Sequence, residues 1–145
     1  MILNVLSCFA QAYDEGRIVL GNFVERLYRN TPFEGCRIVD DYENSYLLSI
    51  VALDASKYKT KAALNRMSQV KSQRSAGEFL NGTQSVSEFV IKTPKSEEKE
   101  PMNDILDTFD HIKTNSTGFI QQMQLLTSFV DDDNLTVFVY FKELK

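Results

Sequence analysis

Ile18, Leu20, Phe23, Val24, Leu27 and Tyr28 fall mostly three or four residues apart. That is the spacing of one helix face, and it predicts an amphipathic helix over residues 13–30. Asn30-Thr31-Pro32 stops it, because proline disfavours helical backbone in the residue before it. Cys36 to Asp41 and Tyr46 to Leu53 then read as two strands joined by a hairpin at Tyr42-Glu43-Asn44-Ser45. The second strand, YLLSIVAL, is apolar at nearly every position, which predicts a central strand covered on both faces.

Lys57 to Leu80 reads as the longest helix of the body, with Asp54 or Ser56 as N-cap and Asn81-Gly82 as its stop. Ala63, Met67, Val70 and Gly77 supply its expected packing stripe. Val86, Phe89, Val90 and Ile91 suggest a strand closed by Pro94, and Lys95 to Glu100 (KSEEKE) a solvated loop. Met102, Ile105, Leu106, Phe109 and Ile112 give an i, i+3, i+4, i+7 helix stripe. A closing hairpin pairs Phe119–Val130 with Leu135–Phe141 across Asp131-Asp132-Asp133-Asn134. The order α-β-β-α-β-α-β-β describes an α+β fold in two layers, helices packed on a mainly antiparallel sheet.

The terminal strand is apolar on both sides, with Val137, Val139 and Phe141 on one face and Phe138 and Tyr140 on the other. The later helices are expected over the first face. Phe138 and Tyr140 then need a cover of their own, either the helix of residues 13–30 or a second copy in a homodimer. They are therefore candidate interface residues.

The opening segment, MILNVLSCFAQA, differs from the rest. It is apolar and uncharged, and Ala10-Gln11-Ala12 is the small-residue pattern that signal peptidase accepts. Val5-Leu6-Ser7-Cys8 has the form of a lipobox, which makes Cys8 a candidate lipidation site. Residues 1–12 are thus expected as a remnant export signal ahead of a single domain at 13–145; the alternative is that they open the first helix. Cys36 heads an apolar run and reads as a small buried hydrophobe. A Cys8–Cys36 bridge would require an oxidising compartment.

The 145 residues are about one domain's worth of chain and can bury roughly two-thirds of their unfolded surface. With 43% apolar and 25% charged residues the composition is globular. The net charge of −4 gives no electrostatic reason to bind nucleic acid. No apolar run reaches the ~18 residues of a membrane span, so membrane contact is expected only through a lipid anchor.

Catalytic signatures are missing: no P-loop, no G-x-G-x-x-G, no G-x-S-x-G, no H-E-x-x-H and no CxxC. His111 is the one histidine, and Asp104 and Asp107 share its helix face, a spacing that could contribute to a metal site but lacks a fourth ligand. A solvated polar face opposite the Met102–Ile112 stripe is the favoured account. The run Asp131–Asp133 lacks the spacing of a calcium loop and suits a turn. Asn81-Gly-Thr, Asn115-Ser-Thr and Asn134-Leu-Thr fit the glycosylation sequon, a pattern common by chance. Lys57, Lys59, Lys61, Arg66, Lys71 and Arg74 are six positive charges with no acid between Ala55 and Gly77. Around the expected stripe they scatter about the helix axis, and Arg74 falls inside it, so they read as a solvated helix. No cofactor is expected.

Two stretches carry a resemblance. A helix dotted with Ala62, Ala63, Ala76 and Gly77 runs into Ser85-Val86-Ser87; later come Ile112-Lys113, Ser116-Thr117-Gly118-Phe119-Ile120 and the closing strand Leu135–Phe141. This rhythm resembles the small surface-lipoprotein domains of Gram-negative bacteria, the related N-terminal domain of a flagellar-assembly protein, and exported proteins of gut Bacteroidetes. The resemblance implies a two-layer α+β domain in the periplasm or at the cell surface, associated with envelope structures and bringing no catalytic residues. The resulting expectation is a non-enzymatic interaction or scaffold module with an envelope protein as partner. The alternative from another class is a small-ligand-binding or hydrolytic protein, which would show as a pocket lined by His111, Asp107 or tyrosines.

Overall fold

The computed structural model describes residues 2–41, 44–82, 86–94 and 102–144, the side chains of 2–14 and 102–104 excepted. The chain divides into two compact units, residues 1–33 and 34–145. The first is built on helix α1 (Ile2–Asn30), which continues through the opening segment. Leu20, Val24 and Tyr28, spaced four apart, are its buried apolar side chains among the described residues, whereas Ile18 and Val19 are exposed. Arg29 pairs with Glu25 one turn back at 3.2 Å, and the Tyr28 ring tilts against Phe33.

The second unit contains β1 (Gly35–Asp41), β2 (Asn44–Leu53), α2 (Lys61–Asn81), β3 (Val90–Lys92), α3 (Met102–Lys113), α4 (Ser116–Gln121), β4 (Gln124–Val130) and β5 (Thr136–Glu143). The strands form one sheet in the order β3-β1-β2-β5-β4. Among the described residues the β1–β3 pair is parallel and the other pairs are antiparallel. The fold is α+β with helices on a mixed, mainly antiparallel sheet, and the largely apolar β2 takes its middle position. Asp131 closes the β4–β5 turn: its carboxylate accepts from the backbone of Asp133 and Leu135, and Asn134 adopts the left-handed φ of 64°. The acidic run is therefore a turn.

Three local readings are corrected. Helix α2 starts at Lys61, because Tyr58 is extended and Thr60 takes the N-cap, accepting from the Ala63 amide at 3.0 Å. Asp54 caps a separate 3-10 turn, Ala55–Lys57. Val86–Phe89 is a second 3-10 turn, leaving β3 with three residues. The third correction concerns Phe119 and Ile120, which lie in α4 rather than in a strand, since Asn115 caps that helix by accepting from the Gly118 amide.

The largest correction concerns which side of α2 is buried. Its inward positions are Leu64, Ser68, Ser72, Ala76, Phe79 and Leu80, whereas Met67 and Val70 of the expected stripe are exposed. The reason lies in the sheet. Cys36, Ser49 and Tyr140 stand side by side on β1, β2 and β5. Each meets one serine of α2: Cys36 Sγ lies 3.8 Å from Ser75 Oγ, Ser49 donates to the Ser72 carbonyl at 3.0 Å, and Tyr140 and Ser68 share a 2.6 Å hydrogen bond. Three or four helical residues advance about 5 Å, which matches the ~4.8 Å between strands. Each serine therefore meets its own strand. Small side chains let the helix lie close, and the hydrogen bonds of Ser49, Ser68 and Tyr140 offset the cost of burying their hydroxyls.

Below this polar row Phe79 makes edge contacts with Phe89 and Phe109, ring centres 5.4 and 5.5 Å away. Ile105, Phe109 and Ile112 of α3 join the same core, as the helix stripe predicts. Phe138 and Tyr140 belong to it too, so the later helices pack over these two residues and not over Val137, Val139 and Phe141.

Candidate functional site

Two regions combine accessible side chains with a definable chemistry. The first is the outward side of α2. With Leu64, Ser68, Ser72 and Ala76 turned inward, Ala63, Met67, Val70 and Arg74 lie on the opposite side, and Arg66 and Lys71 flank them. All six basic residues from Lys57 to Arg74 are exposed. Measured against the true buried face, Arg66, Lys71 and Arg74 share the solvent half of the helix with a short apolar ridge, whereas Lys57 and Lys59 precede the helix and Lys61 opens it on the side of Ser68. Met67 is 37% and Val70 53% exposed, large values for apolar side chains on a helix that also packs a core. Among the described residues no ion pair engages Arg66, Lys71 or Arg74.

The second region is a hollow of about 210 Å³ where the α3–α4 corner meets β5. Its floor is apolar, from Ile112 and Phe119; His111, Asn115, Gln122 and Lys142 supply polar groups around it. Lys142 is half-buried, and its ammonium stands 5.1 Å from the centre of the Phe119 ring. The Thr114 hydroxyl donates to the His111 carbonyl at 2.6 Å and fixes the corner. A Cβ on Gly118 would stand 2.9 Å from the Asn115 amide nitrogen, so a larger residue there would have to displace the Asn115 side chain.

Most residues singled out in the sequence find structural roles or lie apart. Phe138 and Tyr140 are core residues. Cys36 is buried and unbridged among the described residues. Burial pushes its thiol pKa up, and hydrogen bonds from Ser75 and Ser49 only partly counter that, so it is a protonated packing group rather than a nucleophile. Asp54 is the opposite case: hydrogen bonds from the Ser56 hydroxyl and amide hold its carboxyl below the usual range. The Cys8 and Asp104 side chains lie outside the described residues. His111 and Asp107 are both exposed, and Asp107 does not line the hollow. Among the described residues no group of His, Cys, Asp or Glu could hold a metal ion. The three sequon asparagines serve the backbone: Asn81 donates to the Gly77 carbonyl, Asn115 caps α4, and Asn134 makes the turn.

Lys142 and Gln122 fall in no sequence motif and Asn115 only in a sequon; Asn115 and Gln122 cap the two ends of α4, and Lys142 joins them from β5. The ridge on α2 was visible in the sequence but assigned to the wrong side. No described helix is long and apolar enough to cross a membrane. Compared with known protein families, characterised proteins and solved structures, the chain matches none of them.

Proposed function

We propose that the chain is a non-enzymatic interaction module that docks an acidic protein surface on the outward side of α2. The observation carrying this reading is the exposed Met67–Val70 ridge flanked by Arg66, Lys71 and Arg74, within an acid-free stretch of a chain whose net charge is −4. A local reversal of the molecule's overall sign gives orientation and encounter rate, and the apolar ridge supplies the desolvated centre of a contact. An envelope address belongs to the same reading. It is supported by the uncharged opening segment with Ala10-Gln11-Ala12 and by the surface-lipoprotein rhythm of the closing hairpin.

The test is binding to a helical peptide with a Leu stripe bordered by Glu, followed by fluorescence anisotropy at low and moderate salt. The intact chain is expected to bind saturably and to weaken as salt rises. The Arg66→Glu/Lys71→Glu/Arg74→Glu variant is expected to lose this binding while keeping its melting temperature. Equal binding by that variant overturns the proposal. So does a preference for vesicles of anionic phospholipid over the peptide, which would make the face a membrane contact.

A further inference from the structure

We infer that the hollow between the α3–α4 corner and β5 is a binding site for a small organic carboxylate, one whose anionic head is carried on a short or flat apolar body. Three observations converge. The ionisable residues lining the hollow are His111 and Lys142, and no carboxylate lines it among the described residues. Lys142 is half-buried without an ion-pair partner there, and its neighbour across the β2–β5 ladder is the apolar Leu47. A half-buried lysine with no counter-ion beside it is a ready partner for an incoming anion.

The neutral donors point to an acceptor ligand as well. Asn115 uses its side-chain oxygen on the Gly118 amide, which leaves its NH₂ end to donate. Gln122 contributes a second amide at the rim, and an imidazole has an N–H to offer in either protonation state. Beneath them Ile112 and Phe119 are buried and present apolar surface, which suits the body of the ligand rather than its head. Size sets the class. At about 210 Å³ the hollow is smaller than the ~300 Å³ at which pockets for drug-sized ligands begin, so it takes one ring or a short chain.

The experiment is a titration of the full ¹⁵N-labelled chain with benzoate, its neutral isostere benzamide, acetate and inorganic phosphate, read from backbone amide shifts. Benzoate is expected to give saturable shifts confined to residues 111–122 and the neighbourhood of Lys142, with acetate weaker and benzamide without effect. Lys142→Met keeps the packing on Phe119 and removes the charge; it is expected to weaken benzoate about tenfold or more, with the remaining spectrum unchanged. His111→Gln changes an exposed side chain and is expected to weaken it less. Benzamide binding as well as benzoate overturns the inference. Saturable shifts with none of the anions, or an unchanged affinity in both variants, overturn it too. Phosphate binding more tightly than either carboxylate replaces the organic ligand with an inorganic anion and overturns the stated class.

Discussion

Ser68, Ser72 and Ser75 show how a helix without a strong apolar stripe packs on a sheet. Ser68 and Ser75 place their hydroxyls against Tyr140 and Cys36, whereas Ser72 uses its carbonyl, on Ser49, and its own buried hydroxyl has no partner among the described residues. The middle and one end of this row therefore respond to mutation with opposite signs. Ser72→Ala removes an unsatisfied hydroxyl and adds helix propensity, and should raise stability by about 1 kcal/mol in urea unfolding. Tyr140→Phe removes half of a satisfied pair and should lower it by about 1 kcal/mol, because Ser68 retains the Asn65 carbonyl. Cys36 gives a pH dependence. Its folded pKa is raised, so the native state keeps the proton after the unfolded chain has begun to lose it near pH 8.5. Its stabilising contribution is complete below that pH and is lost as the pH climbs from there through the folded pKa. Urea midpoints measured between pH 7.5 and 10 should therefore fall more for the native chain than for Cys36→Ala.

At the scale of elements, periodicity found those whose burial rests on apolar side chains. The α3 stripe, the middle strand β2 and the closing hairpin follow from the positions of Ile, Leu, Val and Phe. It failed on α2 because serines and an alanine fill the middle of its buried face, between Leu64 and Phe79-Leu80, while Met67 and Val70 face water. A hydrophobicity pattern has no means of seeing that the opposing strands carry Cys36, Ser49 and Tyr140 in one row. The same blindness put the later helices on the wrong side of β5. Sequence did mark the α4 start, as Asn115-Ser-Thr-Gly, but as a sequon; the apolar Phe119-Ile120 then drew the reading to a strand. Caps are testable singly. Thr60→Ala should cost about 1 kcal/mol in thermal unfolding, since it leaves the Ala63 amide without its acceptor. No change would mean that α2 is held by its packing alone.

For the molecule as a whole, the candidate docking face depends on this orientation of α2. Had Ala63, Met67 and Val70 faced the sheet, Arg74 would be turned inward with them and the apolar ridge would be buried. Because the serines face inward, Arg66, Lys71 and Arg74 look outward together with the ridge. The hollow beside Lys142 needed the tertiary fold for a plainer reason: its walls come from α3, α4 and β5, and no spacing in the chain relates them. The central claim is that the outward side of α2 is the docking face for an acidic protein. Its most direct measurement places a photo-crosslinking amino acid at Val70 in the full chain, expressed in its native host, and maps the adduct by mass spectrometry. One protein adduct is expected, joined through a segment rich in Asp and Glu, and lost when Arg66, Lys71 and Arg74 are changed to Glu. An adduct that survives this charge reversal, a lipid adduct, or no adduct at Val70 would contradict the claim.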